Sequence, residues 1–176
     1  MIANLVIINT IVNHDCDDWD AAIAPLLVVA AERTLTTSLH TNATTVELGI
    51  TLADDDALRN LNREHRGQDK VTNVLSFPLC DGGMEPDAPG APLLLGDIVL
   101  GHGIITREAK AQGKSLPDHA THLIVHGVLH LLGHDHSTEA EAEDMESLEI
   151  SILARLGITD PYADPHLIPP PVPTPE

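Results

Sequence analysis

Histidines are concentrated in one short stretch, HGVLHLLGHDH at residues 126–136, which holds four of the chain's eleven histidines. His126 and His130 are four residues apart within an apolar run, so on a helix both imidazoles lie on one face. Gly133 can adopt the left-handed conformation that ends a helix and turns the chain back, which would bring His136 to the same point. Three neutral imidazoles with a fourth position open are the ligands of a catalytic rather than a structural zinc ion. The spacing therefore predicts one zinc ion held by His126, His130 and His136.

Neighbouring polar residues leave other assignments open. His122 and His126 are also four residues apart, and both lie on one stripe of the predicted helix together with His119 and His130. The pair 126/130 is favoured because only this pair is followed by a glycine turn and a third histidine. His134 directly follows the glycine and is expected to be a neighbour of the site rather than a ligand. Asp135 could orient a ligand imidazole or could simply fix the turn.

The spacing HxxxHxxGxxH also occurs in metzincin zinc proteases, where a glutamate beside the first histidine is the general base. Position 127 of this chain is Gly. A zinc peptidase or amidase would therefore need a base from elsewhere, which weighs against that function. Asp97, Asp135 and His134 are the candidate bases, although a metal-bound hydroxide or the 2′-OH of an RNA substrate could act without one. A ribosome-associated binding protein with a structural zinc ion is a third possibility, but the open fourth position argues against it.

Alternating strand and helix patterns surround this stretch. Strands are predicted at residues 4–12, 45–52, 71–79 and 93–101, of which the last two could pair. Helices are predicted from Asp17 or Asp18 with a possible kink at Pro25, from Asp54–Asp56 to Gly67, from a cap at Ser115 or Asp118 to Gly133, and from residue 137 to 156 before Gly157. The predicted fold is α+β: a single domain at residues 1–158, with a small mixed β-sheet packed with helices and a buried central helix that carries the metal-binding histidines. Residues 159–176 are rich in proline and are expected to be a disordered or extended tail.

The composition limits the partners of the protein. The 176 residues are 43% hydrophobic but only 2% aromatic, so the core must be aliphatic. The formal charge of −18 repels nucleic acid in general, and any RNA contact must be local. The nine basic residues are mostly clustered, in the groups Arg59, Arg63, Arg66 and Lys70, and Arg107, Lys110 and Lys114. Cys16 and Cys80 form no motif and are expected to be reduced thiols of a cytoplasmic protein; a zinc role for Cys80 has no supporting spacing. We find no signal peptide and no apolar run long enough to span a membrane.

Several blocks of the sequence resemble one known family. HGVLHLLGHDH resembles the signature of the YbeY family, bacterial metal-dependent endoribonucleases of rRNA maturation. NREHRGQDKVTNVLSFPL at residues 62–79 is similar to a second block of that family and LLLGDIVL to a third, while DHSTEAEAEDMESLE continues the metal motif as in the family. The resemblance covers the chain from about residue 45 to 162. One departure is Val71, where many relatives carry proline.

The resemblance implies cleavage of single-stranded RNA in processing the 3′ end of the small-subunit rRNA, with a part in late ribosome maturation and quality control. It implies that the three histidines hold zinc and that Arg66 acts in catalysis. We further expect Arg66 and Lys70 to bind the substrate backbone, whereas a solvated helix face accounts equally well for Arg59 and Arg63. The expected partners are single-stranded and ribosomal RNA and the ribosome or its proteins. DNA and membranes are not expected.

Overall fold

The computed structural model describes residues 6–80 and 83–163. These residues form one mixed sheet and five helices. The strands are β1 (Ile7–His14), β2 (Thr45–Ala53), β3 (Val74–Pro78) and β4 (Leu93–Gly101), and the helices are α1 (Ile23–Ser38), α2 (Asp55–Arg66), α3 (His102–Ala111), α4 (Leu116–Leu131) and α5 (Glu139–Arg155). The predicted α+β fold with a small mixed sheet is confirmed.

The four strands are arranged in the order β1-β2-β4-β3. The strands β1, β2 and β4 run parallel, and β3 joins β4 as an antiparallel edge strand, which confirms the predicted pairing of the last two strands. The register shifts by one residue between Glu47 and Leu48 of β2, where β4 carries an extra residue. This β-bulge lets Leu95 and Ile98 of β4 both reach the main core.

Helices cover both faces of the sheet. On one face α1 and α4 pack against the strands over an aliphatic core, and α5 packs against α4 and α1. On the other face α2 places Leu58 in a smaller cluster with Leu75 and Val99. Helix α4 contacts α1, α3, α5 and two strands, and most of its residues are buried. It is therefore the predicted buried central helix.

The prediction was wrong at the start of α1 and missed α3. Helix α1 begins at Ile23 rather than after Asp17 or Asp18, and Pro25 falls in its first turn, where a missing N–H breaks no helical hydrogen bond. Helix α3 follows β4 directly, and its N-terminal residue provides no side-chain cap. Its cap comes from α2 instead, because Asp55 Oδ1 accepts a hydrogen bond from the backbone N of Ile104 at 2.8 Å. A cap from 49 positions away leaves no local signal in the sequence.

The remaining boundaries agree closely with the sequence patterns. Asp54 caps α2, and Gly67 ends it in the left-handed conformation. Residues 4 and 5 of the first predicted strand and residues 164–176 of the predicted tail lie outside the described residues, so the domain boundary at residue 158 stays a prediction. Within the described ranges, no helix is both long and apolar enough to cross a membrane.

Candidate metal centre

Local sequence sets the position of α4. The Ser115 side chain accepts a hydrogen bond from the backbone N of Asp118, which caps the helix as predicted, and Pro117 lies in the first turn. The helix is apolar almost all round, so His119 is buried with it and His122, His126 and His130 are partly buried. Buried imidazoles need hydrogen-bond partners or a metal ion, because an unpaired polar group in a core is costly.

The three predicted ligands converge. Nitrogen atoms of His126, His130 and His136 all lie within 4.8 Å of one another, and this is the only such group of histidine, cysteine and acidic side chains in the described part of the chain. The two Nε2 atoms of His126 and His130 are 2.9 Å apart. Gly133 has a φ of 90°, and this left-handed turn brings His136 back to the end of the helix. His136 is exposed and the other two are partly buried, so the cluster opens to solvent on one side.

The free nitrogen atoms suit a zinc ion. His130 Nδ1 donates to the backbone carbonyl of His134 at 2.9 Å, and His126 Nδ1 is engaged at 2.7 Å by the Glu149 carboxylate. His126 and His130 therefore each direct the Nε2 lone pair into the cluster. Two nitrogens on a tetrahedral zinc ion lie about 3.3 Å apart for bonds of about 2.0–2.1 Å, only a few tenths of an ångström more than the observed separation. Burial and the two neighbouring imidazoles lower the pKa of His130, which favours the neutral form that binds metal.

Glu149 of α5 is a partner of His126 that the spacing of the histidine motif did not indicate. Its carboxylate is fully buried, and it accepts hydrogen bonds from His126 Nδ1, from His122 Nε2 at 2.8 Å and from the Tyr162 hydroxyl. Burial alone would raise the pKa of Glu149, but these hydrogen bonds outweigh it and hold the pKa at about 2. A signal existed in the sequence, because this glutamate occupies the apolar stripe that α5 turns toward the core, with Met145, Ile152 and Leu153.

Two cavities meet at His126. One, of about 430 Å³, is lined by His119, His122 and Lys114 among others, and the second, of about 280 Å³, by His136, Met145 and Glu146. Both are also lined by His126 and Tyr162. Space for a substrate is therefore available beside His126.

Of the candidate general bases, Asp97 lies on the far face of the sheet and Asp135 is engaged in a turn. Asp97 lies over Gly49 of β2, on the sheet face opposite to the one that Ile98 turns toward α4. Asp135 accepts hydrogen bonds from the His136 backbone N and the Ser137 hydroxyl, so it fixes the turn and does not orient a ligand ring. His134 contributes its backbone carbonyl to the site. The Cys80 thiol donates to the carbonyl of Leu94 at 3.0 Å and is not part of the histidine cluster.

The basic cluster on and just after α2 divides into two pairs. Arg59 forms a bidentate ion pair with Asp69 at 2.7 and 3.1 Å, and Arg63 donates a hydrogen bond to the side-chain oxygen of Asn60. Within the described ranges the Arg66 and Lys70 side chains make no such bond, and both are exposed. The structure does not bring Arg66 into the histidine cluster itself, since α2 packs on the other sheet face.

Edge strand β3 lies between the end of α2 and the metal-binding helix α4. The ring of His65, next to Arg66, packs edge-on against Phe77 with centroids 5.1 Å apart. The neighbouring Ser76 faces the opposite way, and its hydroxyl donates to the carbonyl of Gly127 on α4 at 3.3 Å. The end of α2 and the metal-binding helix therefore lie on either side of this one strand.

Gly127 is a packing residue, as predicted. A Cβ atom at this position would lie 3.0 Å from Ser76 Oγ and 3.1 Å from Ile98 Cδ1. The helix can approach β3 and β4 this closely only without a side chain here. The glutamate of the metzincins has no room at this position in the observed packing.

Comparison with known proteins identifies the family of the chain. The model of the family described as Endoribonuclease YbeY matches residues 14–157. A curated Endoribonuclease YbeY from Rhodopseudomonas palustris is 48% identical over 87% of this chain and 79% of its own length, and one from Paramagnetospirillum magneticum is 56% identical over 68% and 73%. A solution structure of a Thermotoga maritima protein shares the fold with a TM-score of 0.52, at 22% identity over 84% of this chain and 92% of that one. The chain belongs to the YbeY endoribonuclease family.

Proposed function

We propose that this protein is a zinc-dependent endoribonuclease that cleaves single-stranded RNA at a centre formed by His126, His130 and His136. The observation that carries the proposal is the convergence of these three imidazoles, with two of them held by hydrogen bonds so that Nε2 enters the cluster. Membership of the YbeY family supports RNA as the substrate. The open side of the cluster leaves a position for water or a phosphoryl oxygen.

The zinc ion and the side chains of the protein would contribute different parts of the reaction. When bound, the zinc ion lowers the pKa of a coordinated water and polarises a phosphoryl oxygen. The histidines hold the ion, while Glu149 and the His134 carbonyl hold two of their rings in place. The transition state gains negative charge on its phosphoryl oxygens, and a guanidinium stabilises such charge by two parallel hydrogen bonds. Arg66 is the group to which we assign this role.

Arg66 and Lys70 are also the groups to which we assign backbone binding. Arg59 is neutralised by Asp69, so it offers less to a phosphate than these two exposed cations do. An RNA strand that crosses edge strand β3 would pass from the end of α2 to the exposed side of the histidine cluster. With one Phe, one Tyr and one Trp in the chain, base stacking is limited, and we expect recognition led by the backbone with weak sequence preference.

The family resemblance extends the proposal to the biological substrate. We place the protein in the cytoplasm, where it would process the 3′ end of the small-subunit rRNA and act in ribosome maturation and quality control. The charge of −18 supports protein partners on the ribosome, since a strongly acidic surface does not draw RNA by itself. A peptidase or amidase function is not favoured, because Gly127 replaces the protease base and Glu149 contacts His126 on the side away from the cluster.

The test compares three substrates with the same preparation. Purified protein is incubated with single-stranded RNA, duplex RNA and casein, with and without a metal chelator. We expect chelator-sensitive cleavage of the single-stranded RNA alone. His130→Ala, which removes a ligand, should abolish that cleavage, and Arg59→Ala, which removes a paired cation, should not. Casein cleavage, or RNA cleavage that persists in the chelator and in His130→Ala, would contradict the proposal.

A further inference from the structure

The buried carboxylate of Glu149 contacts His126 but is not one of the residues that form the histidine cluster. It lies on α5 with none of its surface exposed, packed among apolar residues of the main core. An ionised carboxylate in such a place is costly unless it is well hydrogen-bonded. Its position must therefore be explained by its partners.

The partners fix the protons at this site. An ionised carboxylate only accepts hydrogen bonds, so the bond of 2.7 Å to His126 Nδ1 requires a proton on that nitrogen. The bond of 2.8 Å to His122 likewise requires a proton on its Nε2. The Tyr162 hydroxyl donates to the oxygen that His122 also uses. Glu149 is thus held by three donors and cannot turn away from His126.

The consequence for His126 is a single tautomer. With its proton on Nδ1, a neutral imidazole has its lone pair on Nε2, and this Nε2 is the atom that lies 2.9 Å from His130 Nε2. A histidine without such a partner would populate the other tautomer, whose Nε2 carries a proton and cannot bind a metal. A carboxylate partner also makes the imidazole a stronger electron donor.

We propose that Glu149 is the positioning residue of the metal centre, which fixes the tautomer and ring orientation of His126 and so raises zinc affinity, with His122 and Tyr162 holding the carboxylate in place. The proposal rests on the metal centre proposed above. It predicts that the two helix ligands are oriented by different groups: a side chain on α5 orients His126, and the backbone carbonyl of His134 orients His130.

A purely structural role is the competing explanation. A buried carboxylate with three donors could simply satisfy polar groups between α4, α5 and the segment after α5, without any effect on the metal. The two explanations differ in what happens to the protein when the charge or the hydrogen bond is removed. A structural role changes only folding stability, whereas a positioning role changes zinc affinity and the His126 tautomer in protein that is still folded.

The experiment uses Glu149→Gln, which keeps the shape, and Glu149→Leu, which removes the acceptor. The control is Glu146→Gln, an exposed acid of the same helix that lines the smaller cavity, so the same charge is lost nearby without touching a ligand. Zinc affinity is measured for each by competition with a chromophoric chelator, on protein whose folding is verified by circular dichroism. The nitrogen chemical shifts of the histidine rings in the metal-free protein report the tautomers directly.

We expect both Glu149 variants to bind zinc about 10–100-fold more weakly than the wild type, with the larger loss in Glu149→Leu. The control should bind within about threefold of the wild type, since a charge exposed to water acts weakly at a distance. The His126 signals should show Nδ1–H in the wild type and a shift toward Nε2–H in Glu149→Leu. Folded Glu149 variants with wild-type zinc affinity and an unchanged tautomer would overturn the proposal. If the wild type itself binds no zinc at His126 and His130, the metal centre rather than the role of Glu149 is refuted.

Discussion

The close approach of α4 to the sheet can be tested at Gly127. A methyl group at this position would meet Ser76 Oγ at 3.0 Å and two Ile98 carbons at 3.1 and 3.2 Å, each a few tenths of an ångström inside ordinary van der Waals contact. Overpacking of this kind costs about 1–3 kcal/mol, and replacing a helical glycine with alanine returns about 1 kcal/mol. We therefore expect Gly127→Ala to lower the free energy of unfolding by about 1 kcal/mol and Gly127→Val by about 3 kcal/mol. In a chain of this length those values correspond to melting temperatures lower by about 2–4 °C and 6–12 °C.

The assay is denaturant unfolding of metal-free protein, followed by circular dichroism. Ala140→Val on the exposed side of α5 is the control for the helix propensity of valine, and it should change stability by less than about 0.5 kcal/mol. Removing the neighbouring atoms with Ser76→Ala and Ile98→Val should make the Gly127→Ala substitution less costly than in the wild-type background. A Gly127→Val protein as stable as the wild type, or the same cost in both backgrounds, would refute the close packing of this helix.

Four further predictions follow from the site. Arg66→Ala should keep its zinc and its melting temperature but cleave single-stranded RNA about a hundredfold or more slowly in single-turnover assays. Arg66→Lys should recover only part of the rate. Near-normal cleavage by Arg66→Ala would remove this arginine from the catalytic residues. His126→Ala should lose most of its zinc on dialysis, and a full equivalent retained would exclude it as a ligand. Gly127→Glu should not cleave casein, and robust cleavage would mean that the relation to zinc proteases is misjudged. Burial lowers the pKa of His119 below its ordinary 6.5 despite the nearby Glu108 carboxylate. The unfolded chain therefore takes up this proton first, and metal-free protein should lose stability as the pH falls from 6.5 through the lower pKa. His119→Gln should weaken this dependence, and an unchanged pH profile of stability in that variant would contradict the prediction.

Much of the fold could be predicted because its signals are local. The cap at Asp54, the left-handed Gly67 and the serine cap of α4 each act within a few residues, so the boundaries of α2 and α4 follow from the sequence. The grouping of three histidines was also local, since it needed only the helical period and one glycine turn. The start of α3 was not, because its cap is a carboxylate of α2 that the fold brings to it.

The parts of the site that the sequence did not indicate depend on contacts between distant segments. Glu149 meets His126 across the interface of α4 and α5, and only its place in an apolar stripe marked it as unusual. Asp97 was a reasonable base by residue type. Strand alternation places Asp97 and Ile98 on opposite faces of the sheet, but only the packing of α4 against Ile98 shows which face carries the site.

We propose that RNA cleavage requires one zinc ion held by the three histidines. The most direct measurement starts from metal-free protein and adds zinc in fractions of an equivalent while the single-turnover rate on single-stranded RNA is followed. We expect the rate to rise linearly and to level off at one zinc per chain in the wild type, with no rise in His130→Ala over the same range. Full cleavage before any metal is added, or an equal rise in His130→Ala, would contradict it.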